Sequence, residues 1–277
     1  MQTVRKAVFP VAGFGTRFLP ATKSIPKEML PVVDKPVIHY AVEEAVRAGI
    51  DTLVFITGRH KRAIEDYFDA APELEATLRA KGKHAAADRV HAILPEHVNC
   101  IFIRQSVQKG LGHAVLCAAP VIGEDPFAVL LADDFLGTGG QDFLSEMVAA
   151  YDREGRSQIA VTPIDGPEIS RYGVVVPGAG ERAVAGLLEK PSITEAPSNL
   201  ASIGRYVLAP DIMEILARTE PGAGDEIQLA DAIDTLAAAR GGAVAYCPLT
   251  TRRFDCGQVR GYLDAVLAVG ERRKVPR

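Results

Sequence analysis

Two stretches of this chain combine glycine with fixed positive charge, and two aspartates stand where apolar runs end. The first stretch reads Ala12-Gly13-Phe14-Gly15-Thr16-Arg17, then continues through Lys23 and Lys27 with prolines at 20, 26 and 31. Glycines let backbone N–H groups face phosphate oxygens, and Arg and Lys supply charge. The prolines restrict the loop, so less entropy is lost when a polyanion is gripped. The chemistry this suits is the holding of a nucleoside triphosphate, with Ala12, Gly13, Gly15 and Thr16 as contacts. Spacing disfavours two familiar alternatives. A P-loop needs four residues between its glycines, and here there is one. A dinucleotide fingerprint needs a third small residue where Phe18 stands.

The second stretch is Gln105 followed by Lys109-Gly110-Leu111-Gly112-His113-Ala114. The Gln105 amide and the Gly110 backbone can match the donor and acceptor edge of a pyrimidine. His113 reads as structural. Asp133 and Asp255 are the metal candidates, because Mg²⁺ takes one or two carboxylates and fills its octahedron with phosphate oxygens and water. Asp134 would point away from Asp133 if the strand continued. Asp255 has a second reading, as a helix cap ahead of Val259. Glu189-Lys190-Pro191 follows an apolar run; an acid beside a cation suits a sugar phosphate, the acid accepting from hydroxyls. Tyr172-Gly173 offers a backbone N–H to the same sugar.

These residues need elements to place them. Lys6–Val11, Thr52–Thr57, Asn99–Arg104 and Phe127–Ala132 are short apolar or β-branched runs and read as strands. Helices are expected over 36–48, 60–68 and 114–119, with an exposed helical excursion over 73–89. Alternating strands and helices predict an α/β fold, Rossmann-like, with a mainly parallel sheet covered on both faces. In such sheets ligands bind beyond the carboxyl ends of strands, where the two motifs and Asp133 all fall. From Gln158 short strands dominate, over 159–164, 173–176, 184–189 and 202–208. Helices are expected over 211–217, from Asp225 to Ala239 with Asp225 and Gln228 as a capping box, and over 259–271. Residues 1–277 read as one domain. Residues 1–157 form a nucleotide-binding half, and 158–277 a β-rich, sugar-binding extension of the same sheet with the closing helices.

The net charge of −4 and the absence of a basic tail disfavour nucleic acid as a partner. Four scattered cysteines without a C-x-x-C pair suggest reduced thiols and a cytoplasmic location. No apolar run approaches membrane-spanning length.

The pattern from Gly13 to Pro31 resembles the signature of the sugar-1-phosphate nucleotidylyltransferases. The longer run Phe9 to Pro31, with Lys109–Ala114 and Gly224-Asp225-Glu226-Ile227-Gln228-Leu229, is similar to the bacterial UTP–glucose-1-phosphate uridylyltransferases, over about Val4 to Gly270. The resemblance implies a GT-A-like fold and the reaction of UTP with glucose 1-phosphate to give UDP-glucose and pyrophosphate. It implies Mg²⁺ held by Asp133 and Asp255, and a homodimer or homotetramer. Arg17 would meet the β,γ-phosphates, Lys27 the phosphates at the reacting centre, and Lys190 the sugar phosphate. Asn199 and Gly204-Arg205 enter as further sugar-side positions. Ala132 departs from the pattern, since close relatives carry proline there. Two rivals stand beside this reading: a sister enzyme using dTTP or another nucleotide or hexose 1-phosphate, and a non-catalytic subunit that binds nucleotide sugar.

Overall fold

The computed structural model describes residues 3–274 apart from 138 and 141; residues 1–2 and 275–277, the ends of the expected 1–277 domain, lie outside them. Four parallel strands form one side of a nine-stranded sheet, in the order Asn99–Arg104, Thr52–Thr57, Lys6–Pro10, Phe127–Leu130. Their sequences are near-continuous apolar runs because both faces are covered. Ala7 and Phe9 face one core layer, where Phe9 and Phe102 stack on Phe55 at ring separations of 5.0 and 5.1 Å. Val8, Val54 and Val129 face the other layer, with the helix Leu229–Ala239 packed over it.

The long strand Leu200–Leu208 runs antiparallel to Phe127–Leu130 and continues the sheet. It pairs with Ser157–Pro163, which carries Val244–Pro248, and touches the hairpin formed by Gly173–Pro177 and Val184–Glu189. Strands from both halves of the chain therefore share one mixed, mostly parallel sheet. Sequence order reverses direction between Lys6–Pro10 and Phe127–Leu130, so the loops after these two strands open on the crevice where such folds bind ligands.

Several elements differ from expectation. The helix expected over 114–119 starts at Leu111, ends at Leu116, and gives way to a short helix Ala119–Ile122. The capping box at Asp225 and Gln228 does not form. Gly224 and Asp225 take positive φ in a 3₁₀ turn, Glu226 to Gln228 run extended, and the helix begins at Leu229. Those extended residues pair instead with the second motif, through Ile227 N to Lys109 O and Gly112 N to Ile227 O, both 2.8 Å. Gly110 sits at φ 94°, and a Cβ there would lie 2.7 Å from Glu226 Cβ, so only glycine allows the contact. The excursion after Phe68 is the helix pair Pro72–Ala80 and His84–His91, mostly exposed.

Arg205 is buried to 1% exposure. Its guanidinium donates to both Glu44 oxygens at 2.8–3.0 Å and to the carbonyls of Leu131, Gly204 and Asp134. All of its donors are thus satisfied, and the loop carrying Asp133 is pinned from beneath. Removing one partner of such a pair strands a buried charge. Arg205→Leu should lower unfolding stability by about 3 kcal/mol, read by denaturant titration; unchanged stability would remove the pair from the account of this loop.

Candidate active site

The loop from Gly13 to Leu30 is held at several points. Thr22 Oγ1 donates to Gly15 O at 2.7 Å, and Phe18 packs edge-on against Tyr262. Glu28 is buried and accepts from the buried Lys61 Nζ at 2.7 Å. That pair ties the loop to the turn after Thr52–Thr57. Burial pushes the Glu28 carboxyl up, with Lys61 and Lys27 opposing.

On one side of this loop lies a cleft of about 900 Å³. Ala12, Thr16, Lys23 and Gln105 line it, as do Arg59 and Lys61. The basic turn Arg59-His60-Lys61-Arg62 was not singled out from the sequence, although it follows a parallel strand's carboxyl end, where the rule already pointed. Gln108 was also missed; its amide donates at 2.6 Å to the carbonyl of Ala12, one of the residues expected to contact the nucleotide. Gly13 is exposed, and a Cβ there would meet nothing within 4 Å. The Gln105 side-chain nitrogen lies 3.3 Å from Gly110 O and 2.8 Å from His113 Nδ1. A carbonyl can only accept, so the amide nitrogen must face inward and His113 Nδ1 must be the unprotonated acceptor. The amide oxygen is the part left for a ligand.

On the other side is a pocket of about 230 Å³, lined by Arg17, Ser170, Arg171, Tyr172, Lys190, Asp255 and Gln258. Thr16 and Arg17 are consecutive, yet one borders the cleft and the other the pocket. The hairpin register sets Gly173 opposite Glu189, and Lys190 N donates to Tyr172 O at 3.0 Å. The two sugar-side motifs are therefore one structural unit. Lys190 Nζ lies 3.0 Å from Glu189, and its backbone takes φ 44°, a conformation uncommon outside glycine. Tyr172 is held by Arg253, whose Nη1 donates to its hydroxyl at 3.1 Å.

Two expected sugar contacts are engaged elsewhere. The Asn199 amide donates to Asp165 at 3.0 Å, and the Gly204 N–H donates to Asp134 Oδ2 at 2.6 Å. Neither residue lines the cleft or the pocket. Arg205, coupled to Gly204 in the motif, is the buried anchor described above.

Asp133 and Asp255 are brought together by a two-stranded ladder, Asp134–Phe135 against Phe254–Asp255. Cys256 N also donates to Asp133 O at 2.8 Å. A Cβ at Gly257 would lie 2.7 Å from Asp133 Oδ2 and 3.0 Å from Asp255 Oδ1, so both carboxylates face one space that the glycine keeps open. Lys27 Nζ reaches the same Asp133 oxygen at 2.5 Å. Burial works against ionising Asp133, yet the Lys27 ammonium holds its carboxyl below the usual range. Burial pushes Asp255 up, and Asp134 and Asp133 add to the rise against Arg253. Asp134 turns into the core and pairs with Arg253 (Nε 2.5 Å), although the strand ends at Leu130 and does not continue through it. Asp255 does not cap the helix Val259–Arg272: Gln258 holds the cap position, and Asp255 Oδ1 accepts from Gly257 N. The donor set fits a hard divalent cation, since two convergent carboxylates are what Mg²⁺ takes beside phosphate oxygens and water. Among the described residues no cluster of three or more such ligands occurs.

A family model described as nucleotidyl transferase matches residues 6–272. The UTP–glucose-1-phosphate uridylyltransferase of Escherichia coli (strain K12) is 48% identical over 97% of this chain and 91% of its own length. A crystal structure of UDP-glucose pyrophosphorylase complexed with UDP-glucose superposes with a TM-score of 0.87 at 43% identity, covering 98% of this chain and all of that one. A UTP-bound UGPase from Acinetobacter baumannii gives 0.88 at 45% identity, covering 97% and 94%. With the matched span holding both the cleft-bordering loop and the aspartate pair, this chain belongs to the nucleotidyl transferase family.

Proposed function

We infer that this chain transfers the uridylyl group of UTP to α-D-glucose 1-phosphate, giving UDP-glucose and pyrophosphate. The observation that carries the reading is the shared wall. One cationic loop borders the large cleft through Thr16 and the smaller pocket through Arg17, with Lys27 on the aspartate pair. A reaction that joins a nucleotide to a second phosphorylated substrate needs two such hollows meeting at fixed positive charge.

In this reading the nucleoside triphosphate lies in the cleft, its base against the Gln105 amide oxygen. Arg17 meets the β,γ-phosphates and the leaving pyrophosphate, Lys27 the phosphate at the reacting centre, and Lys190 the phosphate of the sugar. Tyr172, Gly173 and Glu189 hold the sugar hydroxyls. Asp133 and Asp255 hold Mg²⁺, which when bound supplies positive charge between two polyanions. The sugar phosphate is already an anionic nucleophile, so no general base is required. The obstacle is repulsion and alignment, and the side chains act by positioning and by charge. No Ser, Cys or His nucleophile has a part in direct in-line attack. The cytoplasm is the proposed compartment, supported by four free cysteines. A homodimer or homotetramer is the proposed assembly; the stripe Val259, Leu263, Leu267 is exposed apolar surface that a second copy would cover. The whole chain is taken as one working unit.

A pyrophosphate-release assay across nucleoside triphosphates and hexose 1-phosphates tests the reading. UTP with glucose 1-phosphate should be the preferred pair; release from no pair, or preference for another, would reject it. The orientation of Gln105 sharpens what its loss should do. Its oxygen can accept from N3–H, which uracil and thymine both carry and cytosine lacks. A site built to hydrogen-bond a substrate rejects the analogue without that group far better than a pocket rejects one methyl. Gln105→Ala should therefore narrow the preference of UTP over CTP by about tenfold or more and leave UTP over dTTP nearly unchanged. Equal loss of both preferences would contradict this orientation.

A further inference from the structure

Arg17 and Arg171 converge on a single neutral acceptor. The Gln258 amide, with its oxygen turned to the two guanidinium groups, accepts from Arg171 Nη2 at 2.6 Å and from Arg17 Nη1 and Nε at 3.2 and 3.3 Å. Both groups can only donate, so the oxygen must face them. All three side chains line the 230 Å³ pocket with Lys190, whose ammonium adds a third positive charge. The carboxylate that lines it is Asp255, reached by Arg171 at 3.5 Å; Glu189, outside the lining, pairs with Lys190.

Two guanidinium groups repel one another. A carboxylate between them would hold them together more strongly than an amide does, but it would also cancel one charge and repel an incoming phosphate. An uncharged amide aligns the pair and leaves both charges for a ligand. We propose that Arg171 binds the phosphate of the sugar 1-phosphate together with Lys190, and that Gln258 is the positioning residue that holds Arg171 beside Arg17, which keeps its place on the β,γ-phosphates of the nucleotide. The proposal rests on the sugar-phosphate reading of this pocket and adds two residues to it. Arg171 is exposed on the 3₁₀ turn Pro167–Arg171, directly before Tyr172, so its guanidinium can close on a ligand without moving the sheet.

The test compares Arg171→Gln, Gln258→Leu and Gln258→Glu with the parent enzyme, reading KM for glucose 1-phosphate, KM for UTP and kcat. Far-ultraviolet circular dichroism and thermal melting report whether each variant is folded. Hydrogen bonds to charged groups are the strong ones, so Arg171→Gln should raise KM for glucose 1-phosphate about tenfold or more, with KM for UTP nearly unchanged. The two Gln258 variants separate charge from mere support. If Gln258 must align without neutralising, Gln258→Glu weakens glucose 1-phosphate more than Gln258→Leu. If it is only a strut, Glu keeps both contacts, behaves like the parent, and Leu is the worse variant; that order overturns the proposal. An unchanged KM for glucose 1-phosphate in Arg171→Gln also overturns it while leaving the function intact. A parent enzyme that does not use glucose 1-phosphate at all overturns both together.

Discussion

Asp133→Asn should reduce turnover by more than about 10³-fold, beyond the loss of a single charge-stabilising contact, and abolish its dependence on Mg²⁺. The substitution keeps the side chain's shape and removes its charge. The backbone carbonyl of Asp133 would still accept from Cys256, and Arg205 would still pin the preceding loop, so the fold should stand. What changes is the space in front of Gly257. One of its two carboxylates becomes a neutral amide, and the Lys27 ammonium loses its partner. Asp255 alone, with its carboxyl already pushed up by burial, is a poor substitute. Turnover followed against Mg²⁺ concentration checks this; an unchanged Mg²⁺ dependence would remove Asp133 from the metal site.

Lys27→Ala should lower kcat by ~10²–10³, the range for losing one preorganised charge contact. It should also shift the acid side of the pH–rate profile. Burial opposes the charge on Lys27, but Asp133 and Glu28 together outweigh it and raise its pKa, so the ammonium is charged across the working range. In the parent enzyme Lys27 in turn holds Asp133 below the usual carboxylate range. A depressed carboxyl stays ionised as pH falls, until its own low pKa is reached. Without Lys27 the burial of Asp133 is unopposed by its nearest cation, its pKa rises, and the acid limb should move to higher pH. Near-parental turnover with an unmoved acid limb would take Lys27 out of the mechanism.

The parallel half of the sheet was legible because each strand is a compact apolar run and each motif follows one. Thr52–Thr57 and Asn99–Arg104 came out with the ends read from composition. The start of the helix after Asp225 was not, because its turn residues answer to a distant partner. Gly224 and Asp225 bend the chain so that Glu226 to Gln228 can lie against Gly110 and Gly112, a contact between segments more than a hundred residues apart. The same limit applies within the site. Residue type and strand-end position picked out Lys27, Asp133 and Asp255. That Lys27 sits on Asp133, that Glu28 pairs with Lys61, and that Gln258 holds Arg17 to Arg171 are pairings between loops, which no local pattern carries. Asn199 and Gly204 show another side of this. The resemblance put them near the sugar, and what it could not show is that the Asn199 amide nitrogen donates to Asp165 and the Gly204 N–H to Asp134.

The central claim is that aligned positive charge lets the sugar phosphate attack the α-phosphorus directly, with no uridylylated side chain on the way. Turnover of a single diastereomer of UTP carrying sulfur and a labelled oxygen at that phosphorus decides it. One displacement predicts inverted configuration in the UDP-glucose analogue formed. Retained configuration would require two displacements and a covalent enzyme intermediate, and would contradict the account.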